Sequence, residues 1–197
     1  MSSVRIPTPM LMPWGWNKEG IWLTPAGPER KPAFVWQPGS QEARTVADLG
    51  NEITVARGAG TIGYLTSNGK AGYCAKAATL AANGPEVKRE YCSNDASLPG
   101  PRISFSPDGG TMLLTHAWVA IDVAGGNTTK LRLPAGFRAG YPAVFENPTD
   151  AIVLGEVPAK DPTKATGQTM YRCRVTTGEC KALRTEKPGE LFAVPWR

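Results

Sequence analysis

The chain has 197 residues, 41% of them hydrophobic, and a net charge of +5, enough for a real core in one large domain or two small ones. Its 22 Gly and 18 Pro interrupt the chain too often for long helices and favour short strands joined by turns. Lys and Arg are dispersed, and the densest pair, Lys88-Arg89, is flanked by Glu86 and Glu90, so nucleic acid is not an expected partner.

No run of about 18 apolar residues occurs, so no membrane span is expected. The first sixteen residues, MSSVRIPTPMLMPWGW, lack the unbroken apolar core of a signal peptide, and export would need a leader or anchor outside this chain.

Residues 10–50 hold four short runs, MLMPWGW, GIWLTPAG, PAFVWQPG and ARTVADLG, rich in Trp and β-branched residues and bounded by Gly, Pro, Asn or Asp. They predict a four-stranded unit. Trp14, Trp16, Trp22 and Trp36 fall here, four of the six tryptophans. Packing between sheets is their expected role, with an exposed recognition face as the alternative.

Residues 51–100 are less regular. EITVARGAG and TIGYLTSNG predict two strands, with a hairpin turn at Ser67-Asn68-Gly69. KAGYCAKA and EVKREYCSN predict two more, separated by an Ala-rich insertion, Ala78–Pro85. Tyr73–Ala82 is the one window of weakly helical composition. Gly58-Ala59-Gly60-Thr61-Ile62-Gly63 spells G-x-G-x-x-G after a strand-like run. In a dinucleotide fold a helix must begin there, and an acidic residue follows about 20 positions on. Here Asn68-Gly69 interrupts any such helix, Arg57 ends the strand, and Glu86 and Glu90 lie too far along. The expected role is a Gly-rich turn between strands, with an NAD-dependent oxidoreductase as a minor alternative.

Residues 101–137 give the clearest unit. Arg102–Pro107 predicts an inner strand, Asp108-Gly109-Gly110 a turn that tolerates positive φ, and Thr111–Thr115 a buried strand. His116-Ala117 predicts a tight reversal, Trp118–Val123 a third strand and Thr128–Leu133 an outer one. Asp122 is placed to accept hydrogen bonds from the Ala124-Gly125-Gly126 turn. FSPDGG followed by a strand and then VAIDVAGG resembles the WD40-like repeat of TolB-type β-propellers. The resemblance covers about a sixth of the chain and is loose elsewhere; it implies that Ser106, Pro107, Asp108, Gly109 and Asp122 are structural turn residues. It implies no activity, because propellers host many functions.

Residues 138–190 repeat the plan. GYPAVFEN is the expected inner strand, AIVLGEV the second, and Pro158–Gln168 an exposed loop. TMYRCRVTTGE and CKALRTE are the last two, and the tail, residues 190–196, predicts one extra strand. The unit starts are about 40 to 50 residues apart, as in propeller blades. The expected fold is therefore a single all-β, β-propeller-like domain of about four four-stranded blades, approximately 10–50, 51–100, 101–137 and 138–190. Either a small closed ring or a partial propeller satisfies this count, and an open arc would self-associate through bare strand edges.

Cys74 and Cys92 occupy the same two strands of the second unit as Cys173 and Cys180 do in the fourth. Like-placed cross-strand pairs predict the disulfides Cys74–Cys92 and Cys173–Cys180, and hence an oxidising, extracytoplasmic or secreted setting. No C-x-x-C occurs and His116 is the sole histidine, so no metal site is expected. Ser104, Ser106, Asp108 and Asp122 are near His116 in sequence but fall on different strands, without a nucleophile-elbow context. The expected function is a non-enzymatic binding or scaffold module with no cofactor, taking a protein or small-molecule ligand on loops at one rim. Pro158–Gln168 and Ala78–Pro85 are the expected loops, and a hydrolase or lyase site in a central channel is the alternative.

Overall fold

The structure, a computed structural model, describes residues 11–25, 32–46, 49, 53–68, 72–81, 84–93, 102–139, 143–156 and 167–187. Every regular element among them is a β-strand, and none of them forms a helix long and apolar enough to cross a membrane.

Four antiparallel sheets follow one another along the chain. The first contains β1 (Leu11–Asn17), β2 (Gly20–Pro25), β3 (Phe34–Trp36) and β4 (Arg44–Thr45), in that order. The second contains β5 (Ile53–Val55), β6 (Thr61–Ser67), β7 (Tyr73–Ala81) and β8 (Gly84–Ser93). The third contains β9 (Ile103–Phe105), β10 (Thr111–Leu114), β11 (Val119–Asp122) and β12 (Thr128–Lys130). In the fourth, β13 (Arg138–Ala139) and β14 (Val144–Phe145) both pair with β15 (Asp150–Glu156), which is followed by β16 (Gln168–Arg174) and β17 (Cys180–Thr185). Each sheet coincides with one of the four units expected from the turn residues. The expected extra strand at 190–196 lies outside the described residues.

Period-two alternation explains how the sheets are joined, because a strand buried on both faces serves two neighbours. In β10, Met112 and Leu114 pack with Ala75, Ala77, Ile103 and Phe105 against the second sheet. Leu113, between them, packs with Val153, Tyr171 and Cys173 against the fourth. In the second sheet, Ile62, Tyr64 and Ala78 turn the other way and meet Trp22 and Val35 of the first. Three apolar cores thus lie between consecutive sheets, and the first strands of the sheets adjoin in sequence, β1 by β5, β5 by β9 and β9 by β14.

The Ala-rich stretch departs from expectation. Tyr73–Ala81 is one nine-residue strand, and Ala81 pairs with Gly84, so there is no insertion between Ala78 and Pro85. Its helical composition is overridden by packing. Ala75, Ala77 and Ala78 are fully buried between sheets, where the spacing admits a methyl group and little more.

The glycines of Gly58–Gly63 have the same origin. A Cβ on Gly58 would collide with the Pro107 carbonyl oxygen, and one on Gly60 with the Lys18 side chain. One on Gly63 would stand 2.6 Å from Phe105 Cε2 and 3.0 Å from Ile103 Cγ2. Gly58 and Gly63 therefore admit the third sheet, while the Lys18 tip beside Gly60 can swing aside. The segment continues as strand β6, not as the helix that a pyrophosphate site requires. Replacing Gly63 with Ala should cost about 1–3 kcal/mol, the usual penalty of overpacking, in urea unfolding monitored by tryptophan fluorescence. Gly110→Ala, where the nearest atom to the new Cβ is 3.4 Å away, should cost under about 1 kcal/mol.

Candidate binding platform at the inner-turn end

The turns after the first strands of three consecutive sheets meet at one end of the structure. They are the β1–β2 turn at Lys18-Glu19, the β5–β6 turn at 56–60 and the β9–β10 turn at 106–110. The SPDG turn closes on itself. Ser106 Oγ donates to Asp108 Oδ1 at 2.6 Å, the Gly110 amide donates to the same oxygen at 3.1 Å, and the Thr111 amide donates to Ser106 Oγ at 2.9 Å. The Ser106 hydroxyl, followed by burial acting in the opposite sense, leaves the Asp108 carboxyl below its ordinary range. Gly109 has φ +70°, and a side chain there would also strike Thr61. Pro107 supplies the carbonyl under Gly58. At the β11–β12 turn of that sheet the Ala124 amide donates to Asp122 Oδ1 at 3.0 Å, as expected. The side chains of Ser106, Asp108 and Asp122 thus each accept from a turn amide. In the fourth sheet Asn147 does the same work, accepting from the amides of Thr149 and Asp150.

The first hairpin is different, because alternation splits its tryptophans. Trp22 is fully buried, facing the second sheet, and its Nε1 donates to Asn17 Oδ1 at 3.0 Å. Trp16 pairs with Ile21, one residue before Trp22, so its ring falls on the opposite face and is 56% exposed. The Arg57 guanidinium lies 4.9 Å from the centre of the Trp16 ring. Asn17 Oδ1 also accepts from the Glu19 amide, while its buried Nδ2 has no partner. An exposed indole, the guanidinium over it and the Lys18 ammonium therefore share one end, while the orphan Asn17 amide is buried on the Trp22 face. Trp14, its Nε1 donating to Thr24 Oγ1, is also partly exposed. The tryptophans thus divide between packing and surface, a division that composition alone did not reveal.

Of the two loops expected to bind, Ala78–Pro85 contains the end of β7 and the start of β8, and 82–83 lie outside the described residues. Of the other, Pro158–Gln168, residues 158–166 lie outside the described residues.

His116 sits in the β10–β11 turn, at the far end of β10 from Ser106 and Asp108. Its buried Nδ1 has no hydrogen-bond partner. Burial first, and the Arg102 guanidinium second, hold its pKa below the ordinary histidine range. Trp118, closing the same turn, has φ +52° and packs at a tilt against Phe137, which meets Tyr171 edge-on. Around His116 these contacts are packing contacts, and Ser106 and Asp108 are too far along the sheet to complete a nucleophile–base pair. The basic pair of the sequence is engaged as well: Lys88 pairs with Glu86, and Arg89 Nη2 donates to the Ala124 carbonyl at 2.8 Å.

Both expected disulfides are present. Cys74–Cys92 and Cys173–Cys180 join directly opposed residues of β7–β8 and β16–β17, each with Cα atoms 4.0 Å apart. No protein-family model matches the chain, and comparison with curated proteins gives no match.

Two outcomes follow from these environments. Non-reducing mass spectrometry with alkylation should find no free thiol before reduction and four alkylated cysteines after it, since all four are paired. Because the folded pKa of His116 is lowered, the unfolded chain binds its proton more readily. The stability from the neutral ring is complete above the unfolded pKa of about 6.5 and declines as pH falls through that value, down to the folded pKa. The melting temperature should therefore fall between about pH 7 and pH 5. His116→Asn should flatten that profile; an unchanged slope in the variant would place its source elsewhere.

Proposed function

We propose that this protein is a non-enzymatic binding module of the β-propeller type, working in an oxidising, extracytoplasmic setting. The four consecutive sheets, the adjoining first strands and the SPDG turn support the propeller reading. The two disulfides support the compartment. The class resembled is the WD40-like repeat of TolB-type propellers, in which turn residues hold a rigid frame and loops carry recognition.

The single observation that carries a binding role is Trp16, more than half exposed beneath Arg57, in a hairpin whose other core tryptophan is completely buried. Stacking leaves the in-plane N–H groups of a guanidinium available to a carboxylate. Lys18, whose ammonium lies 3.9 Å from the Glu19 carboxylate, adds charge of the same sign. An acidic ligand, a peptide carboxylate or a small organic acid, matches that set. The proposed ligand thus meets the inner-turn end.

An NMR titration with tetraglutamate tests this. The Trp16 indole N–H should shift saturably, and Arg57→Gln should raise the Kd about tenfold, the loss of one charge-assisted hydrogen bond. Shifts confined to other surfaces, or an unchanged Kd in the variant, would remove the platform from the function. Light scattering bears on the ring. Concentration-dependent self-association is the outcome for an open arc, and a monomer at high concentration is the outcome for a closed one.

A further inference from the structure

The two disulfides differ in what surrounds them. Cys173 is packed in the core between the third and fourth sheets, and Cys180 Sγ lies 3.8 Å from the Gly178 carbonyl. Cys74–Cys92 instead sits on the face of the second sheet that looks toward the first. One cross-strand row away on the same face are Tyr64, Lys76 and Glu90, directly opposed across three strands. Both sulfurs and a Glu90 carboxylate oxygen lie within 4.8 Å of one another. Among the described residues this is the one place where three metal-ligating side chains converge so closely.

Two thiolates and a carboxylate form a donor set that suits zinc, with a fourth position left for water. We infer that Cys74, Cys92 and Glu90 form a redox-gated site for a zinc-class divalent cation. While the sulfurs are bonded to each other they cannot act as thiolate ligands; once reduced, they and Glu90 converge on a metal. The β7–β8 ladder extends to both sides of the cysteines, from Ala81–Gly84 to Tyr73–Ser93. It can therefore hold the ligands in register without the covalent bond.

The chemistry balances with a dithiol as reductant. Its thiolate attacks the exposed Cys92 sulfur, and the S–S bond breaks with the electron pair leaving on Cys74, which takes up a proton. The second thiol of the reductant then attacks the mixed disulfide. Cys92 is released as a thiol, and the reductant closes to its own cyclic disulfide. Two electrons and two protons pass to the protein. Metal binding expels those two protons, and Glu90 exchanges its ion pair with Lys76, now at 3.2 Å, for the metal. The freed ammonium, two residues from Cys74 on the same strand face, favours the thiolates.

Cobalt(II) is the probe, because thiolate ligation gives it a near-ultraviolet charge-transfer band and four-coordination gives it strong visible bands. The Cys173→Ser/Cys180→Ser variant, reduced with dithiothreitol and desalted without oxygen, should bind one cobalt per chain with both signatures. The oxidised variant should show neither. Glu90→Gln in that background should keep the thiolate band but weaken cobalt binding about tenfold or more, the loss seen even for outer-shell partners of a metal. If the double variant fails to fold, reduced wild-type protein is compared with Cys74→Ser/Cys92→Ser, which should lose the thiolate band. Any of four results overturns the inference: no thiolate band after reduction, equal affinity in Glu90→Gln, two chains per cobalt, or loss of the folded circular dichroism spectrum on reduction.

Discussion

The close approach of neighbouring sheets at their first strands is the constraint on which the rest of the structure depends. Glycines make it possible. Gly63 admits Phe105 and Ile103 of the third sheet, Gly58 admits the Pro107 carbonyl, and Gly15 of the first sheet admits Val55 of the second. Any side chain at Gly58 would meet backbone, which cannot rotate aside as a side-chain tip can. The second sheet is thereby held against both neighbours, and the alanines of β7 complete the fit further out. Small residues here act through the volume they leave free.

Given that approach, alternation assigns every buried side chain to one core or another. Leu113 and its neighbours Met112 and Leu114 serve different interfaces because successive residues point to opposite faces. The middle sheets are consumed on both sides by this arrangement. The same rule divides the first hairpin, sending Trp22 inward and Trp16 outward. The exposed platform is thus a consequence of register: a shift of one residue in β1–β2 pairing would bring the two rings to the same face.

Polar groups fall into two sets. Ser106, Asp108, Asp122, Asn147 and Asp150 accept from nearby amides or hydroxyls and so stabilise turns that must stay rigid for the sheets to pack. Their carboxylates are engaged by turn amides, by the Ser106 and Thr149 hydroxyls, and at Asp150 by Asn147 and Arg174. The second set is Arg57 and Lys18 near Trp16, and Lys76 and Glu90 beside Cys74–Cys92. Each of these places charge or hydrogen-bonding capacity next to a group of distinct chemistry.

Much of the architecture was legible in the residues. Turn chemistry at SPDG, AGG and TTG marked the units, period-two runs marked the strands, and equal placement of the cysteines paired them correctly. These signals are local, and local backbone preferences express them within a few residues. What only the tertiary structure decided depends on distances between strands far apart in sequence. Tyr73–Ala81 is a strand although its alanines favour helix, because two adjacent sheets leave room for methyl groups. The G-x-G-x-x-G string is a packing device, since its neighbours are Lys18, Ile103, Phe105 and Pro107 from other sheets. Trp16 is exposed and Trp22 buried because register, which no composition contains, sets the faces of β1 and β2. Glu90 stands beside a disulfide because β7 and β8 pair in one register and not another.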